Sequence, residues 1–539
     1  MKNSVSRPVV LLAEELSPAT VVALGPDVEV RHCDGTDRTA LLAALAEADA
    51  VLVRSATRMD REAIAAAPRL RVIARAGVGL DNVDVPAATE AGVLVVNAPT
   101  SNIVSAAELA IGLLLSVARH IPQADASLKG GSWQRSRFTG VELSGKVLGV
   151  VGLGRIGALV ARRMAAFDME VIAYDPYVTP ARAADLGVRK VSLDELLAES
   201  DFITVHLPKT AETVGLIGFE ALRKVKPGVR IVNAARGGIV DENELYAALK
   251  TGRVAAAGLD VFEVEPCTDS PLFGLDSVVA TPHLGAGTAE AQEKAGVSVA
   301  DSVRRALAGE HVPDAVNVQG GAVEEDLRPW LPLTERLGRV FAAAAGDTPA
   351  QLTLEVAGQP AGHSTAPLEL AALKGVLEIV TGSAVSYVNA PLRARERGLD
   401  LRLVTSPASP DHHGTVTLEG IFADGRVVSF TATLSGLRRQ EKLVAALGHT
   451  LDLPLTGDLA FLRYPDCPGA VGSLGERFAE AGVNIAAMQV ARHETGGSAL
   501  AALALDSSVQ PDTLADAALL IDATHSWAVR AESGVQAAA

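Results

Sequence analysis

Three polar residues in the middle of the chain stand where apolar runs end: Arg236, Glu265 and His283. Each follows a stretch that reads as a β-strand, so all three can point into one cleft at the carboxyl ends of a parallel sheet. Their types suit the interconversion of an alcohol and a ketone. The hydroxyl must lose its proton as hydride leaves carbon, and histidine is the side chain whose charge changes near neutral pH. A carboxylate beside His283 orients the ring and stabilises the imidazolium. Arg236 offers a planar fork for a carboxylate or carbonyl. Taken singly, a histidine after a proline is more often structural, and Glu265 could serve as a helix-start charge. The three together, beside the segment described next, point to chemistry.

Hydride chemistry needs a redox cofactor, and residues 147–175 are patterned for one. An apolar run at 147–151 leads into Gly152-x-Gly154-x-x-Gly157, then a helical pattern, a second apolar run at 171–174, and Asp175. This predicts strand, glycine turn, helix and strand, the βαβ unit that binds a dinucleotide. Gly152 permits the turn, Gly154 lets backbone approach a pyrophosphate, and Gly157 lets helix and strand pack closely. The pyrophosphate then meets free N–H groups at a helix start, where the dipole favours an anion. Asp175 stands where an acid grips the ribose 2′-hydroxyl, and its charge would repel a 2′-phosphate. The expected cofactor is therefore NAD rather than NADP.

The rest of the chain must hold these groups in place. Residues 1–99 alternate five short apolar runs with helical patterns at 39–48 and 61–67, an α/β unit with a parallel sheet. Arg54, Arg75 (followed by Gly77-Val78-Gly79) and Asn102 stand where its strands end. Two arginines at successive strand ends suit a phosphorylated or carboxylated ligand, and surface salt bridges equally well. A helix is expected at 101–116 and an exposed loop at 129–138. About six strands are expected in the dinucleotide unit, then a helix at 289–308. Beyond residue 318 the pattern predicts helices at 332–345 and 366–383, and strands at 351–358, 416–421 and 427–434. The last two flank a hairpin turn at 423–425. Residues 458–530 read as strand, helix, strand, strand, helix, strand, a ferredoxin-like arrangement. Residues 534–539 read as a disordered tail.

Composition narrows the function classes. A net charge of −16 argues against a nucleic-acid or anionic-membrane surface. There is no apolar run of transmembrane length and no signal-peptide pattern. Cys33, Cys267 and Cys467 lie far apart, so neither a metal site nor a disulfide frame is expected, and a reducing cytoplasm is the simple reading.

The succession GLGRIG, Asp175, NAARGGIVDENEL, GLDVFEVEP and TPHLGAGTAEAQ resembles the D-isomer-specific 2-hydroxyacid dehydrogenases over residues 1–317. The resemblance implies an Arg–Glu–His set at Arg236, Glu265 and His283. It also implies a Rossmann-type doubly wound cofactor domain inserted in a flavodoxin-like α/β substrate domain. That divides the chain into a substrate domain at 1–99 that returns at 287–317, and a cofactor domain at 100–286. Implied cofactor contacts, besides the glycines and Asp175, are Arg155, Ile156, Leu207, Ala234, Ala235, Asp260, Gly285 and Ala286. Arg54 and Arg75 would hold the substrate's phosphate or carboxylate, helped by Val78, Gly79 and Asn102, with Arg135 reaching a neighbouring subunit's site.

Tyr464-Pro465-Asp466-Cys467-Pro468-Gly469, followed by Gly482-Val483-Asn484-Ile485-Ala486, resembles an ACT regulatory domain, here placed at 456–532. Asp466 and Asn484 supply acceptors and donors for an amino-acid effector. That motif often opens with histidine, where this chain has Tyr464. Residues 318–455 resemble an α+β intervening domain, with Arg438, Arg439 and Lys442 as candidate anion contacts or solvated charge. This combination implies NAD-dependent oxidation of 3-phospho-D-glycerate to 3-phosphohydroxypyruvate, the first step of L-serine biosynthesis, by a cytoplasmic homotetramer with L-serine as effector. Two rivals stay open: a relative acting on glycerate, hydroxypyruvate or 2-hydroxyglutarate, and a non-catalytic NAD-sensing protein.

Overall fold

The computed structural model describes residues 7–318, 323–381, 385–492 and 497–532; the tail expected at 534–539 lies outside them. Four sheets succeed one another along the chain.

The first is a five-stranded parallel sheet. In spatial order its strands are Glu29–His32, Val9–Leu12, Ala50–Val53, Val72–Arg75 and Leu94–Val96. This is the 2-1-3-4-5 order of flavodoxin-like folds. Helix Ala289–Leu307 returns to cover one face. Its Ala295, Val299, Ala300, Val303 and Leu307 recur at helical spacing and share a core with Val10, Leu12, Leu52 and Val72. Asn317 then pins the returning chain: its Oδ1 accepts the Val95 N–H (2.9 Å) and its Nδ2 donates to the Val93 carbonyl (2.9 Å).

The second sheet has seven parallel strands, ordered Val278–Ala280, Val254–Leu259, Val229–Asn233, Phe202–Val205, Val147–Val151, Glu170–Tyr174 and Arg189–Lys190. The seventh, a two-residue Arg-Lys edge strand, carries no apolar signal, which is why the pattern suggests only about six. Chain order reverses between Val147–Val151 and Phe202–Val205, and the crevice at such a switch point is where doubly wound sheets bind ligands.

The helix expected at 101–116 is a bent pair, Ile103–Arg119 and Ile121–Lys129, broken at His120 with φ 53°. The segment expected as a loop at 129–138 ends in a short 3₁₀ turn, Arg135–Phe138. Short helices Pro18–Leu24, Val85–Glu90, Pro180–Asp185 and Phe219–Lys224 carry too few turns to show periodicity.

The third sheet has six strands: Leu401–Ser406, Gln351–Gly358, Gly414–Ile421, Val427–Ser435, Gln440–Ala446 and His449–Pro454. It is antiparallel except for its first pair. Helices Trp330–Ala345 and Ala366–Thr381 contribute to its core. The hairpin turn closes through Gly425, with φ +82° and its N–H donating to the Phe422 carbonyl. The fourth sheet, ordered Ile485–Arg492, Ser498–Leu505, Asp458–Pro465 and His525–Arg530, carries helices Ala470–Glu480 and Pro511–Leu520 in the ferredoxin-like sequence. Sheets three and four share one core, in which Phe461 stacks on Trp527 (5.1 Å) and meets Phe430 edge-on (6.2 Å).

Candidate active site

The glycine turn shows what each glycine does. Gly152 has φ +98°, and a Cβ there would lie 2.8 Å from the His206 carbonyl oxygen and 2.9 Å from a Leu207 methyl. Leu207 therefore lines the turn from across the switch point. A Cβ at Gly157 would sit 2.0 Å from the Gly152 carbonyl oxygen, so that position is closed by the chain itself. A Cβ at Gly154 meets nothing within 4 Å. Gly154 also caps helix Arg155–Ala165 without a side-chain bond, so the N–H groups of the helix's first turn, at Arg155 and Ile156, have no side-chain cap. Asp175, buried, accepts the Leu153 N–H of the turn (2.9 Å) on one oxygen and the Tyr177 N–H (2.8 Å) on the other. It ties the end of the second strand to the turn. Open space beside Gly154, an uncapped helix start and an acid at the end of the second strand together fit NAD.

This contrast gives a test. Gly157→Ala is expected to cost about 1–3 kcal/mol of stability through overpacking. Gly154→Ala is expected to leave the melting temperature nearly unchanged while weakening NAD binding about tenfold or more, a loss of about 1.4 kcal/mol. Calorimetric melts and NADH titrations of both variants would decide; equal affinity in Gly154→Ala would exclude a pyrophosphate at that backbone.

Beside His206, burial matters more than charge. Its Nε2 lies 2.9 Å from the Thr204 hydroxyl, and burial pushes its imidazole down to about 4, so it stays neutral near pH 7.

The chemistry-bearing residues converge at the same strand ends. His283 Nδ1 lies 2.6 Å from Glu265 Oε2, and the other Glu265 oxygen accepts the Phe262 N–H (3.0 Å). This leaves Nε2 as the imidazole nitrogen facing away from the carboxylate. His283 has φ 53°, held by its N–H donating to the Asp260 carbonyl (2.8 Å). The buried Asp260 side chain organises the rest of the loop. Its Oδ1 accepts from the Thr281 hydroxyl (2.6 Å) and the Leu284 N–H (2.7 Å), and its Oδ2 from the Gly285 N–H (2.9 Å). Burial raises its pKa despite these donors. Expected from the resemblance as a cofactor contact, Asp260 has its carboxylate occupied by the loop that carries His283, Gly285 and Ala286.

Arg236 ends the Ala234–Ala235 turn. Asn233 braces this turn, accepting the Ala235 N–H (3.1 Å) and donating to the Arg236 carbonyl (3.0 Å). The Arg236 guanidinium reaches the first sheet: a Cβ at Gly79 would lie 2.8 Å from its Nη2. Arg75 is there too. Its Nε donates to the Arg54 carbonyl (3.2 Å) and its guanidinium folds over Gly77. Burial lowers the Arg75 pKa, and the charges of Arg236 and, more weakly, Arg54 add to that, with Asp81 and Glu14 opposing. Cations from both sheets thus face one cleft, the field an anionic substrate requires.

Several positioning residues escape a reading of the sequence. Glu14 accepts N–H groups of Arg54 (2.7 Å), Ala56 (3.3 Å) and Thr57 (3.0 Å), and so shapes the Arg54 loop. Asn97 Nδ2 donates to the Val78 carbonyl (2.6 Å) and sets the Val78–Gly79 backbone. Glu14 and Asn97 act across sequence gaps that carry no local pattern, whereas Asn233, a polar residue closing an apolar strand, had a signal. Asn102 starts helix Ile103–Arg119 without a side-chain cap bond. Arg135 lies exposed in its 3₁₀ turn and bonds none of these groups.

The candidate effector residues are dispersed among other partners. Tyr464 is buried in the core of the fourth sheet, Asp466 accepts from Arg492 (3.0 Å), and Asn484 donates to Asp506 (2.6 Å). Arg439 pairs with Asp326 and Lys442 with Asp452. No group of three or more potential metal ligands occurs among the described residues.

Residues 111–285 match the model of the D-isomer specific 2-hydroxyacid dehydrogenase NAD binding domain, and residues 326–445 that of the D-3-phosphoglycerate dehydrogenase intervening domain. The D-3-phosphoglycerate dehydrogenase of Mycobacterium leprae is 57% identical over 94% of this chain and 96% of its own length. That of Methanocaldococcus jannaschii is 40% identical over 94% and 96%. The chain belongs to the D-3-phosphoglycerate dehydrogenase family. Among solved structures, a glyoxylate reductase from Paecilomyes thermophila aligns with a TM-score of 0.53 at 33% identity, over 57% of this chain and 98% of its own. An NAD-dependent formate dehydrogenase from Staphylococcus aureus, solved with NAD, aligns at 0.50 and 32% identity, over 55% and 95%. Membership in this family gives the cleft its cofactor: this is an oxidoreductase with an NAD-binding domain.

Proposed function

We propose that the chain oxidises 3-phospho-D-glycerate to 3-phosphohydroxypyruvate with NAD, the first step of L-serine biosynthesis. The observation that carries this is the meeting of a His283–Glu265 pair with Arg236, Arg75 and Arg54 at the ends of two sheets. Gly152, Gly154, Arg155, Ile156, Gly157 and Asp175 would hold NAD, with Leu207, Ala234, Ala235, Gly285 and Ala286 along its path. NAD supplies the acceptor for the C2 hydride.

His283 takes the C2 hydroxyl proton on Nε2, so that the C–O bond becomes a carbonyl as hydride departs. Glu265 keeps the ring oriented and balances the positive charge that His283 acquires. Arg236 holds the carboxylate–carbonyl end in its fork, favouring the charge that develops on oxygen. In the reverse direction His283 returns the proton. Arg54 and Arg75, with the Val78 and Gly79 N–H groups and Asn102, take the phosphate. Arg135 is assigned to a neighbouring subunit's site in a homotetramer.

Arg54→Gln with Arg75→Gln is expected to raise KM for 3-phospho-D-glycerate about 100-fold or more, as charge-assisted hydrogen bonds worth about 1.5–3 kcal/mol each are lost. NAD affinity should stay within twofold. An unchanged KM would favour the rival reading of an unphosphorylated 2-hydroxy acid substrate.

L-serine is the proposed effector, with Tyr464, Asp466 and Asn484 as its contacts. The ferredoxin-like order of the fourth sheet supports this; initial rates with and without L-serine test it. Cytoplasmic placement belongs to the same proposal. No single described helix is long and apolar enough to cross a membrane.

A further inference from the structure

Arg236 and Glu265 are delivered by neighbouring strands. Strand Val229–Asn233 runs into the turn that ends in Arg236, and strand Val254–Leu259 into the loop that carries Glu265. The ladder between these strands stops at Asn233 and Leu259, with one further backbone bond from the Asp260 N–H to the Asn233 carbonyl (3.0 Å). Beyond that point no backbone–backbone hydrogen bond joins 234–241 to 261–265 among the described residues. The two backbones nevertheless touch. A Cβ at Gly237 would overlap the Phe262 carbonyl and lie 2.6 Å from the Glu263 nitrogen. Such contact is attractive but has no preferred direction, whereas a hydrogen bond fixes register.

Carboxylates take the loop's N–H groups instead. The Phe262 N–H donates to Glu265 itself (3.0 Å), and the next N–H, of Glu263, donates to Oε1 of Glu242 (2.5 Å). Glu242 is the first residue of helix Glu242–Lys250, and that helix start is fixed. The Asp241 side chain accepts the Asn243 and Glu244 N–H groups (both 3.0 Å), and the Asp241 N–H donates to the Ile217 carbonyl (3.1 Å). The Arg236 turn is braced from the same side, since the Gly238 and Ile239 carbonyls accept the Gly215 (2.8 Å) and Ile217 (3.0 Å) N–H groups. Half-buried Glu242 thus reaches from a rigid support to the less supported loop. Burial raises its pKa; the Glu263 N–H opposes this, and the charges of Glu263, Asp241 and Glu265 add to it. An acid beside three others is electrostatically costly, and the Glu263 N–H offsets that cost.

We propose that Glu242 is a positioning residue for the reaction, whose carboxylate clasps the Glu265 loop to the Arg236 turn so that the Glu265–His283 pair and the Arg236 fork meet the same carbon–oxygen bond. The inference rests on the dehydrogenase reading above. Glu242 acts through the loop rather than on the substrate: the adjacent N–H groups of Phe262 and Glu263 are held one by Glu265 and one by Glu242. Release of the second lets the loop slide and carries Glu265 off the His283 ring, and a misplacement of about 1 Å in such a group costs up to about 100-fold in rate.

Single-turnover NADH formation by the full-length protein tests this, with Glu242→Ala, Glu242→Gln and Glu242→Asp made in the wild-type and Glu265→Ala backgrounds. Glu242→Ala removes the acceptor and is expected to slow the hydride step about tenfold or more, with NADH affinity and substrate KM within about twofold. Glu242→Gln keeps an acceptor oxygen at the same reach and is expected to hold the rate within about threefold of the wild type. Glu242→Asp keeps the charge but is one methylene shorter, and is expected to lose rate as Glu242→Ala does; it carries the test where Glu242→Ala does not fold. With Glu265→Ala there is no carboxylate left to position, so Glu242→Ala is expected to cost less than about twofold more. A rate in Glu242→Ala within about twofold of the wild type, an equal loss in both backgrounds, or no recovery in Glu242→Gln would each overturn the proposal. So would a melting temperature and NADH affinity that fall in step with the rate, which would make Glu242 a prop of the fold. The substrate is whichever 2-hydroxy acid the wild type oxidises, so an error over the phosphate group leaves the test intact. A wild type that forms no NADH with any of them would fail the catalytic reading, and this inference with it, before any variant is compared.

Discussion

Replacing His283 with alanine is expected to lower turnover by about 10²–10⁴-fold, the range for loss of a positioned general base, with NAD affinity nearly kept. The structure explains why the two quantities should separate. The loop that carries His283 is held by Asp260, through the backbone N–H groups of His283, Leu284 and Gly285 and the Thr281 hydroxyl, not by the imidazole. Removing the ring therefore leaves the loop in place. The positive φ of His283 would add strain to alanine, and His283→Asn provides a control, since asparagine tolerates that region and cannot take the proton. Single-turnover absorbance at the NADH band and NADH titration would be measured on both variants. Loss of NAD binding with intact chemistry would remove His283 from the role of base. Glu265→Gln should follow in the same direction with a smaller loss. It keeps an acceptor for the ring but removes the charge that balances the imidazolium.

The second large effect is expected at Arg236. Arg236→Lys keeps the charge and loses the planar fork, and two charge-assisted hydrogen bonds worth about 1.5–3 kcal/mol each are then at stake. We expect kcat/KM to fall by about 10²-fold or more, with lysine recovering little of what alanine loses. The reason is geometric. The guanidinium is delivered from the second sheet across to Gly79 of the first, and its base is fixed by Asn233, so a shorter contact surface on a flexible stem does not fill the same space. If Arg236→Lys retained kcat/KM within about threefold, the forked grip on the carboxylate–carbonyl end would be wrong and a simple point charge would suffice. Asn233→Ala offers a milder companion, expected to perturb KM and kcat together by loosening the turn.

The site was unevenly legible in the residues. Gly152, Gly154, Gly157 and Asp175 are bound by one βαβ unit, so their roles follow from local chain geometry: a turn with positive φ, an approach to backbone, a helix–strand contact and an acid closing the second strand. Arg236, Glu265 and His283 were legible because each closes an apolar strand, and parallel strands of one sheet deliver their ends to one side. Short strands at sheet edges, such as Arg189–Lys190, and one-turn helices were not legible, because too few residues repeat to display a period.

What the amino-acid sequence by itself determined is the set of parallel α/β units and the dinucleotide turn, which rest on periodicity or on spacing within one supersecondary unit; it also marked Arg236, Glu265 and His283, as polar residues following apolar runs, as the candidates for chemistry. Only the tertiary structure decided which groups support them. Glu14 shapes the Arg54 loop from just beyond a strand 40 residues earlier, and Asp260 commits its carboxylate to the His283 loop rather than facing outward. The same holds for the pairing of Arg336 with Glu441 and of Arg339 with Glu335. A charge is compensated by whatever carboxylate the fold brings within a few ångströms, and that distance is set by packing between distant segments rather than by order along the chain.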